Sequence, residues 1–235
     1  MPYYGFYFDP TYLLVVIGAV ICLLASARVK TTFHKYDRVR SMSGMTGAQA
    51  AERILHAAGI YDVSIQHVSG NLTDHYDPRH KVLRLSDSTY GSASVAAVGV
   101  AAHECGHAIQ HQHSYLPLMI RGAIVPVANI GSFAAWPLIV IGLFFTSSTG
   151  SFLINIGILC FSFAVLFQLV TLPVEFNASS RAVRILGSTG ILGQEELKGT
   201  RKVLGAAALT YVAGAAASIL QLLRLLILFG GRSDD

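Results

Sequence analysis

Four apolar stretches, roughly residues 11–27, 124–145, 152–172 and 203–229, limit what this chain can fold into. A helix that crosses a bilayer needs about 20 mostly apolar residues, and the second and third stretches have that length. A short turn rich in Ser, Thr and Gly separates these two, which predicts a transmembrane helical hairpin. Charged residues make up 13% of the chain, about half the share of a soluble domain. The sequence therefore predicts an integral membrane protein with about four transmembrane helices.

The positive charges predict how the chain is oriented in the membrane. Of the 17 Lys and Arg residues, ten lie in 28–121 and five in 173–202. Such residues concentrate on the cytoplasmic side of membrane proteins. Positive charges follow the first stretch but do not precede it, which is typical of a retained anchor and not of a cleaved signal peptide. We expect a multi-pass protein of the plasma membrane, with both charged regions in the cytoplasm and both termini outside.

These boundaries divide the chain into membrane segments and two pieces of one catalytic domain. The expected order is an N-terminal anchor (1–27), the first part of the domain (28–122), a membrane hairpin (123–172), the second part of the domain (173–202) and a C-terminal membrane helix (203–235). The three cysteines suggest no disulfide pair, which fits a reducing compartment.

Local patterns predict a small α+β fold for the soluble part. We expect a helix over 46–58, a strand over 63–68, a hairpin with strands 72–76 and 81–86, and a helix over 93–111. Thr46 is placed to cap the first helix, and Gly59 to end it. Strand 81–86 is expected either to form the sheet edge, where it would hold an extended peptide, or to serve as a plain structural hairpin. The fold class is thus mainly α, with a small cytoplasmic α+β domain.

The helix predicted over 93–111 carries the motif His103-Glu104-Cys105-Gly106-His107. Residues four apart on a helix share a face, so His103 and His107 can occupy two corners of a zinc tetrahedron. Glu104 stands beside the first ligand, where it can take a proton from a water that zinc has made more acidic. The alternative is a pair of helical histidines satisfied by ordinary contacts. The motif predicts one Zn²⁺ per chain and Glu104 as general base.

A catalytic zinc needs a third protein ligand, and two later histidines are candidates. His111 lies about 12 Å along the helix axis from His103, too far for one ion to bind both. His113 has the spacing of the third ligand in metzincins. That motif, however, needs a glycine to break the helix where this chain has Gln110.

Glu175 is the third candidate and the one we favour. It follows Pro173, a natural start for a new helix after the membrane hairpin. The hairpin returns the chain to the face that it left, so this helix can lie beside the His103 helix and complete a His2Glu site. The alternative is an ordinary glutamate in a first helical turn, where the helix dipole favours negative charge.

The chain resembles the YugP-type neutral zinc metallopeptidases of bacterial membranes over nearly its whole length, and three segments carry the resemblance. The segments are Thr73-Asp74-His75-Tyr76-Asp77-Pro78, the run from His103 to His111, and Pro173-Val174-Glu175-Phe176-Asn177-Ala178-Ser179. The architecture is also similar to HtpX and the prenyl-protein proteases, which carry the same motif, a membrane hairpin and then a Glu ligand. By that resemblance Glu175 is the third ligand of a gluzincin-like site.

The chain departs from the larger clan at one position. The clan has an Asp four residues after the ligand Glu, which orients a ligand imidazole, and this chain has Ser179 there. Asn177, Ser179 or another acid is expected to take that role. The group that polarises the scissile carbonyl stays open among Tyr211, Tyr76, His75, His113 and Arg181.

The sequence favours an endopeptidase (EC 3.4.24 type) that cleaves protein or peptide substrates associated with the lipid bilayer. Only about a dozen residues separate His107 from the second apolar stretch, so the site is expected near the membrane surface. The net charge of +4 is accounted for by cytoplasmic loops, and no nucleic-acid partner is expected. The alternatives are an inactive zinc-binding scaffold or regulator, and a transporter or channel. A transporter should carry charges within its spans, and only Arg224 qualifies.

Overall fold

The computed structural model describes residues 9–145 and 148–230, which are mainly helical. In chain order the elements are α1 (Tyr12–Asp37), α2 (Gly47–Ala57), β1 (Ser64–Val68), β2 (His75–Asp77), β3 (Val82–Ser86), α3 (Asp87–Tyr90), α4 (Val95–Gln112), α5 (Leu116–Leu143), α6 (Ser148–Ser188) and α7 (Gln194–Phe229). Two compact units are formed. The first takes in the described residues up to Leu24, those of Ile124–Leu169, and those from Val212 onward, and the second is Ala25–Ala123 with Val170–Tyr211.

Four helices, α1, α5, α6 and α7, are long and apolar enough to cross a membrane. The expectation of four candidate spans is confirmed. In the first unit, α5 and α6 pack closely because small residues line their contact. A Cβ at Gly131 would lie 2.7 Å from the carbonyl oxygen of Cys160. Small residues of this kind let membrane helices approach backbone to backbone, which van der Waals packing then stabilises.

The prediction that a new helix begins at Pro173 is wrong. Helix α6 runs without interruption from Ser148 to Ser188 and has Pro173 in its interior. An internal proline removes one backbone hydrogen bond and strains the preceding turn. Val174 and Ala178, which follow it on α6, are fully buried. We attribute the continuous helix to this packing, which outweighs the local preference of proline for a helix start.

The second unit contains the predicted α+β elements. Thr46 caps α2 through a reciprocal capping box with Gln49, and Gly59 follows the helix with a positive φ of 73°. Strands β2 and β3 form the predicted antiparallel hairpin, and β1 pairs with β3 in parallel. The helix predicted over 46–58, the strand over 63–68 and the helix over 93–111 are therefore confirmed to within two residues.

Of the two interpretations of strand 81–86, the sheet edge is wrong and the structural hairpin is confirmed. The strand order is β1-β3-β2, so β3 is central and both of its edges are paired. The physical reason is burial, because Val82, Leu83 and Leu85 all lie in the interior whereas β1 is largely exposed. Pairing with β1 along Val82–Ser86 and with β2 along Val82–Arg84 occupies the two sides of the strand at which an extended peptide would otherwise add.

Helix α4 lies at the centre of the second unit. Its N-terminal half, Val95–Ala102, is made of small apolar residues that are almost all buried. The core that surrounds it includes side chains from α2, β3, α6 and α7, namely Ile54, Leu55, Leu83, Leu85, Leu186 and Leu197. Ser94 caps the helix by accepting a hydrogen bond from the Ala97 amide, and its hydroxyl donates to Asp37. The helix that carries the His103-Glu104-Cys105-Gly106-His107 motif is thus capped at its N-terminus and packed along its length.

Candidate metal centre

The site is built on two helices, α4 and α6. Helix α4 places His103 and His107 on one face, with ring centroids 4.8 Å apart and ring planes nearly perpendicular. Glu175 of α6 points at both rings. Its Oε2 lies 3.2 Å from Nε2 of His103 and 3.6 Å from Nε2 of His107. One ligand atom from each of the three residues can be chosen so that all lie within 4.8 Å of one another.

A glycine inside the motif allows α6 to come this close. A Cβ added at Gly106 would lie 2.7 Å from the carbonyl oxygen of Ala178 on α6, which is closer than real side chains approach. Gly106 is one residue before His107, and Ala178 is three residues after Glu175. The helix contact and the convergence of the three side chains therefore depend on the same small residue, a role that the sequence analysis did not assign.

The outer nitrogens of both imidazoles are held by side chains. The Nδ1 of His103 lies 3.1 Å from Oγ of Ser179, and the Nδ1 of His107 lies 3.0 Å from Oε1 of Gln110. The amide nitrogen of Gln110 donates to the Val174 carbonyl and to Oδ1 of Asn177. Because that carbonyl can only accept, Oε1 of Gln110 also accepts, and the Nδ1 of His107 carries the proton. The Nε2 of His107 then faces Glu175.

The two residues expected to replace the Asp of the larger clan, Ser179 and Asn177, both belong to this hydrogen-bond network. Ser179 contacts a ligand imidazole directly, whereas Asn177 contacts Gln110, which in turn holds the other imidazole. Gln110 itself was missed as an orienting residue. The sequence contained the information needed to find it, because Gln110 lies three residues after His107 on the same helix and therefore on a neighbouring part of the helix surface.

The buried Glu175 carboxylate is surrounded by positively charged or protonatable groups. Its Oε1 forms an ion pair with Nη1 of Arg121 at 3.2 Å, and only 3% of its side chain is exposed. Burial lowers the pKa of His107, but the hydrogen bond to Glu175 and the charges of Glu104 and Glu175 outweigh it, so the net shift is upward. The two carboxylates therefore favour positive charge at this point. Arg121 was missed because it lies outside every motif, 54 residues from Glu175 along the chain.

Glu104 lies next to His103 on α4 and is largely buried. Among the residues that the structure describes, its carboxylate has neither a hydrogen-bond partner nor an ion-pair partner. An acidic group with no protein partner beside a candidate metal site is free to exchange a proton with a water or a substrate. Cys105, the next residue, faces the other way into the core, where burial raises the pKa of its thiol well above the usual value.

His113, Tyr76 and Tyr211, which were considered as a third ligand or as the group that polarises the carbonyl, lie in different surroundings. His113 follows the last residue of the unbroken α4 and is exposed, outside the group formed by His103, His107 and Glu175. The ring nitrogen of exposed His111 lies 3.0 Å from the Tyr76 hydroxyl. Tyr211 of α7, by contrast, turns its hydroxyl towards the Glu175 carboxylate.

The other two polarising candidates have partners of their own. The ring nitrogen of His75 lies 2.9 Å from the Thr73 carbonyl. The Arg181 guanidinium donates to Asn177 and lies over the Tyr115 ring. Of the five candidates for polarising a carbonyl, Tyr211 is therefore the one whose hydroxyl faces the Glu175 carboxylate.

Comparison with known proteins shows the family to which the chain belongs. The sequence profile of a family described as "Putative neutral zinc metallopeptidase" matches residues 11–230. The chain belongs to this family. It is also 48% identical over 223 residues to the "Putative membrane protease YugP" of Bacillus subtilis (strain 168), an alignment that covers 94% of this chain and 98% of that protein. No solved structure matches the chain.

Membership of this family agrees with two features of the chain. The family description names zinc, and the described residues contain a cluster of two imidazoles and a carboxylate that could hold a metal ion. The relative is named as a membrane protein, and the chain has four helices able to cross a membrane. The resemblance noted from the motifs is therefore confirmed over almost the full length of the chain.

Proposed function

We propose that this protein is a zinc-dependent endopeptidase of the membrane in which His103, His107 and Glu175 bind the metal and Glu104 is the general base. One observation carries the proposal. Two imidazoles of a His-Glu-x-x-His helix and a carboxylate from a distant helix converge, while other side chains hold the outer nitrogens of both rings. The Nε2 atoms of both rings are then left to bind the metal. In zinc sites, a hydrogen bond to the other ring nitrogen commonly fixes the orientation of a ligand imidazole.

The three residues fit a zinc ion. Ligand atoms at about 2.0–2.1 Å from a tetrahedral zinc are about 3.3 Å apart, close to the 3.2 Å and 3.6 Å that separate the Glu175 oxygen from the two imidazole nitrogens. Two neutral imidazoles and one carboxylate form a donor set typical of catalytic zinc, with a fourth position left for water. Zinc held in this way supplies a Lewis acid that lowers the pKa of that water.

The side chains of the protein supply the remaining functions. Glu104 accepts a proton from the attacking water and later passes it to the leaving amine. Tyr211 donates a hydrogen bond to the carbonyl oxygen of the scissile bond, since its hydroxyl already faces the site. Ser179 and Gln110 fix the imidazole rings, and Arg121 holds Glu175 in place.

We expect the catalytic part to lie on the cytoplasmic side and its substrates to be proteins or peptides close to the bilayer. Fifteen of the 17 Lys and Arg residues lie in the two soluble segments, which supports that orientation. A reporter active only outside the membrane should respond when fused at Gly150 or after Asp235, and a cytoplasmic reporter should respond at Gly70. A cytoplasmic signal at Asp235 would contradict the proposed orientation of α7.

A direct test is hydrolysis by the purified full-length protein. In detergent micelles it should contain about one zinc per chain and cleave an unfolded substrate such as casein. A chelator such as 1,10-phenanthroline should abolish cleavage, and added Zn²⁺ should restore it, because hydrolysis depends on the metal. Zinc bound at one equivalent with no cleavage of any protein or peptide substrate would contradict the peptidase proposal and favour an inactive zinc-binding scaffold.

A further inference from the structure

A concave surface, lined in part by Ser179, lies between α6 and α7. We call it the α6–α7 groove. It has a volume of about 660 Å³, within the range of small-molecule sites. Facing stripes of the two antiparallel helices form its walls, and they include Phe176, Arg184, Arg201, Leu204, Gly205 and Leu209. All of these residues belong to the second unit.

The two ends of the groove differ in chemistry. Arg184 and Arg201 lie towards the connection between the helices, four residues before the end of α6 and seven after the start of α7. Phe176 and Leu209, at the opposite end, are both large apolar residues with about half of their surface or slightly less exposed. The groove is thus cationic at one end and apolar at the other.

The two arginines have no acidic partner in the part of the chain that the structure describes. Nearby acidic side chains are already engaged, since Glu195 pairs with Lys198 and Glu196 accepts hydrogen bonds from the Met42 and Gly193 amides. Two unpaired guanidinium groups that flank one groove favour an anion with several acceptor oxygens, for which the planar fork of arginine is suited.

We propose that the α6–α7 groove binds an anionic phospholipid, with the phosphate between Arg184 and Arg201 and an acyl chain along Phe176 and Leu209. The apolar end lies on two helices, α6 and α7, that are each long and apolar enough to cross a membrane. Basic pockets beside membrane helices are typical sites for anionic lipid headgroups. The inference goes beyond the proposed peptidase activity and does not depend on it.

The test measures lipid binding to the purified full-length chain in detergent by native mass spectrometry. Phosphatidylglycerol should bind, and phosphatidylcholine should bind more weakly. The double variant Arg184→Gln/Arg201→Gln should weaken phosphatidylglycerol binding about 30-fold, since each basic side chain near an anionic lipid contributes roughly fivefold. Lys202→Gln is the matched control because Lys202 is exposed on the same helix and does not line the groove. Its affinity should stay within about twofold of the wild type.

A second variant tests the groove without changing any charge. A Cβ at Gly205 would meet nothing within 4 Å, so Gly205→Leu projects into open space. The variant should keep its fold and its zinc and lose phosphatidylglycerol binding. Binding that survives both the double variant and Gly205→Leu would overturn the proposal, and so would an equal loss in Lys202→Gln.

Two further outcomes would assign the arginines to another ligand and overturn the lipid proposal. One is complete displacement of phosphatidylglycerol by millimolar inorganic phosphate. The other is unchanged lipid binding in the double variant together with a raised KM for acidic peptides. Zinc content and casein hydrolysis are measured on the same preparations. A wild type without peptidase activity that still selects phosphatidylglycerol would refute only the proposed function.

Discussion

Glu104→Gln will retain zinc and fold normally but lose peptide hydrolysis. Glutamine preserves the size and shape of the side chain but cannot accept the proton of the attacking water. Glu104 lies beside a candidate ligand and has no hydrogen-bond or ion-pair partner among the described residues, so the change removes no such bond from the fold. General bases contribute about 10²–10⁴-fold to the rate, so kcat should fall by at least about a hundredfold. Casein hydrolysis and zinc content measured on one preparation check the prediction.

The matched control for this variant is Glu52→Gln. Glu52 is exposed on α2 and lies outside the cluster of candidate ligands. Its activity and zinc content should equal those of the wild type. Hydrolysis by Glu104→Gln within a few-fold of the wild type, with zinc retained, would remove Glu104 from the role of base.

Glu175→Ala will lose most of its zinc and all of its activity, whereas His113→Ala will keep its zinc. Glu175 lies between both imidazoles and pairs with Arg121, while His113 is exposed beyond the end of α4. Removing a residue that only hydrogen-bonds to a metal ligand typically weakens metal binding about 10–100-fold. Removing a direct ligand should weaken it more. Elemental analysis of the two purified variants after dialysis against a weak chelator gives the comparison.

Two additional variants keep this test informative if Glu175→Ala fails to fold. Glu175→Gln preserves the side-chain volume inside the buried site and should still bind zinc far more weakly than the wild type. Ser179→Ala removes only the hydroxyl beside Nδ1 of His103, and its zinc affinity should fall by about 10–100-fold. An empty His113→Ala together with a zinc-loaded Glu175→Ala would replace this site by one resembling the metzincins.

Most secondary structure in the second unit followed from local patterns. The capping box of Thr46 and Gln49, the glycine at 59 and the turn after Asp77 each act over a few residues, so a short window of sequence contains the whole cause. The course of α6 through Pro173 was predicted wrongly, and of the two interpretations of β3 the sheet edge was the wrong one. Each depends on burial against segments far away in the chain, which no local window contains.

The sequence by itself determined that four helices are apolar enough to span a membrane and that His103, Glu104 and His107 share one helical region. The length of an apolar stretch and the helical repeat are properties of consecutive residues, so both can be recognised in the sequence. Only the tertiary structure decided how Glu175 reaches these histidines, 72 and 68 residues away. The approach requires the Gly106–Ala178 contact, and it brings in Gln110 and Arg121 as neighbours. Contacts of this kind depend on which side chains let two helices pack, and that fit exists only in three dimensions.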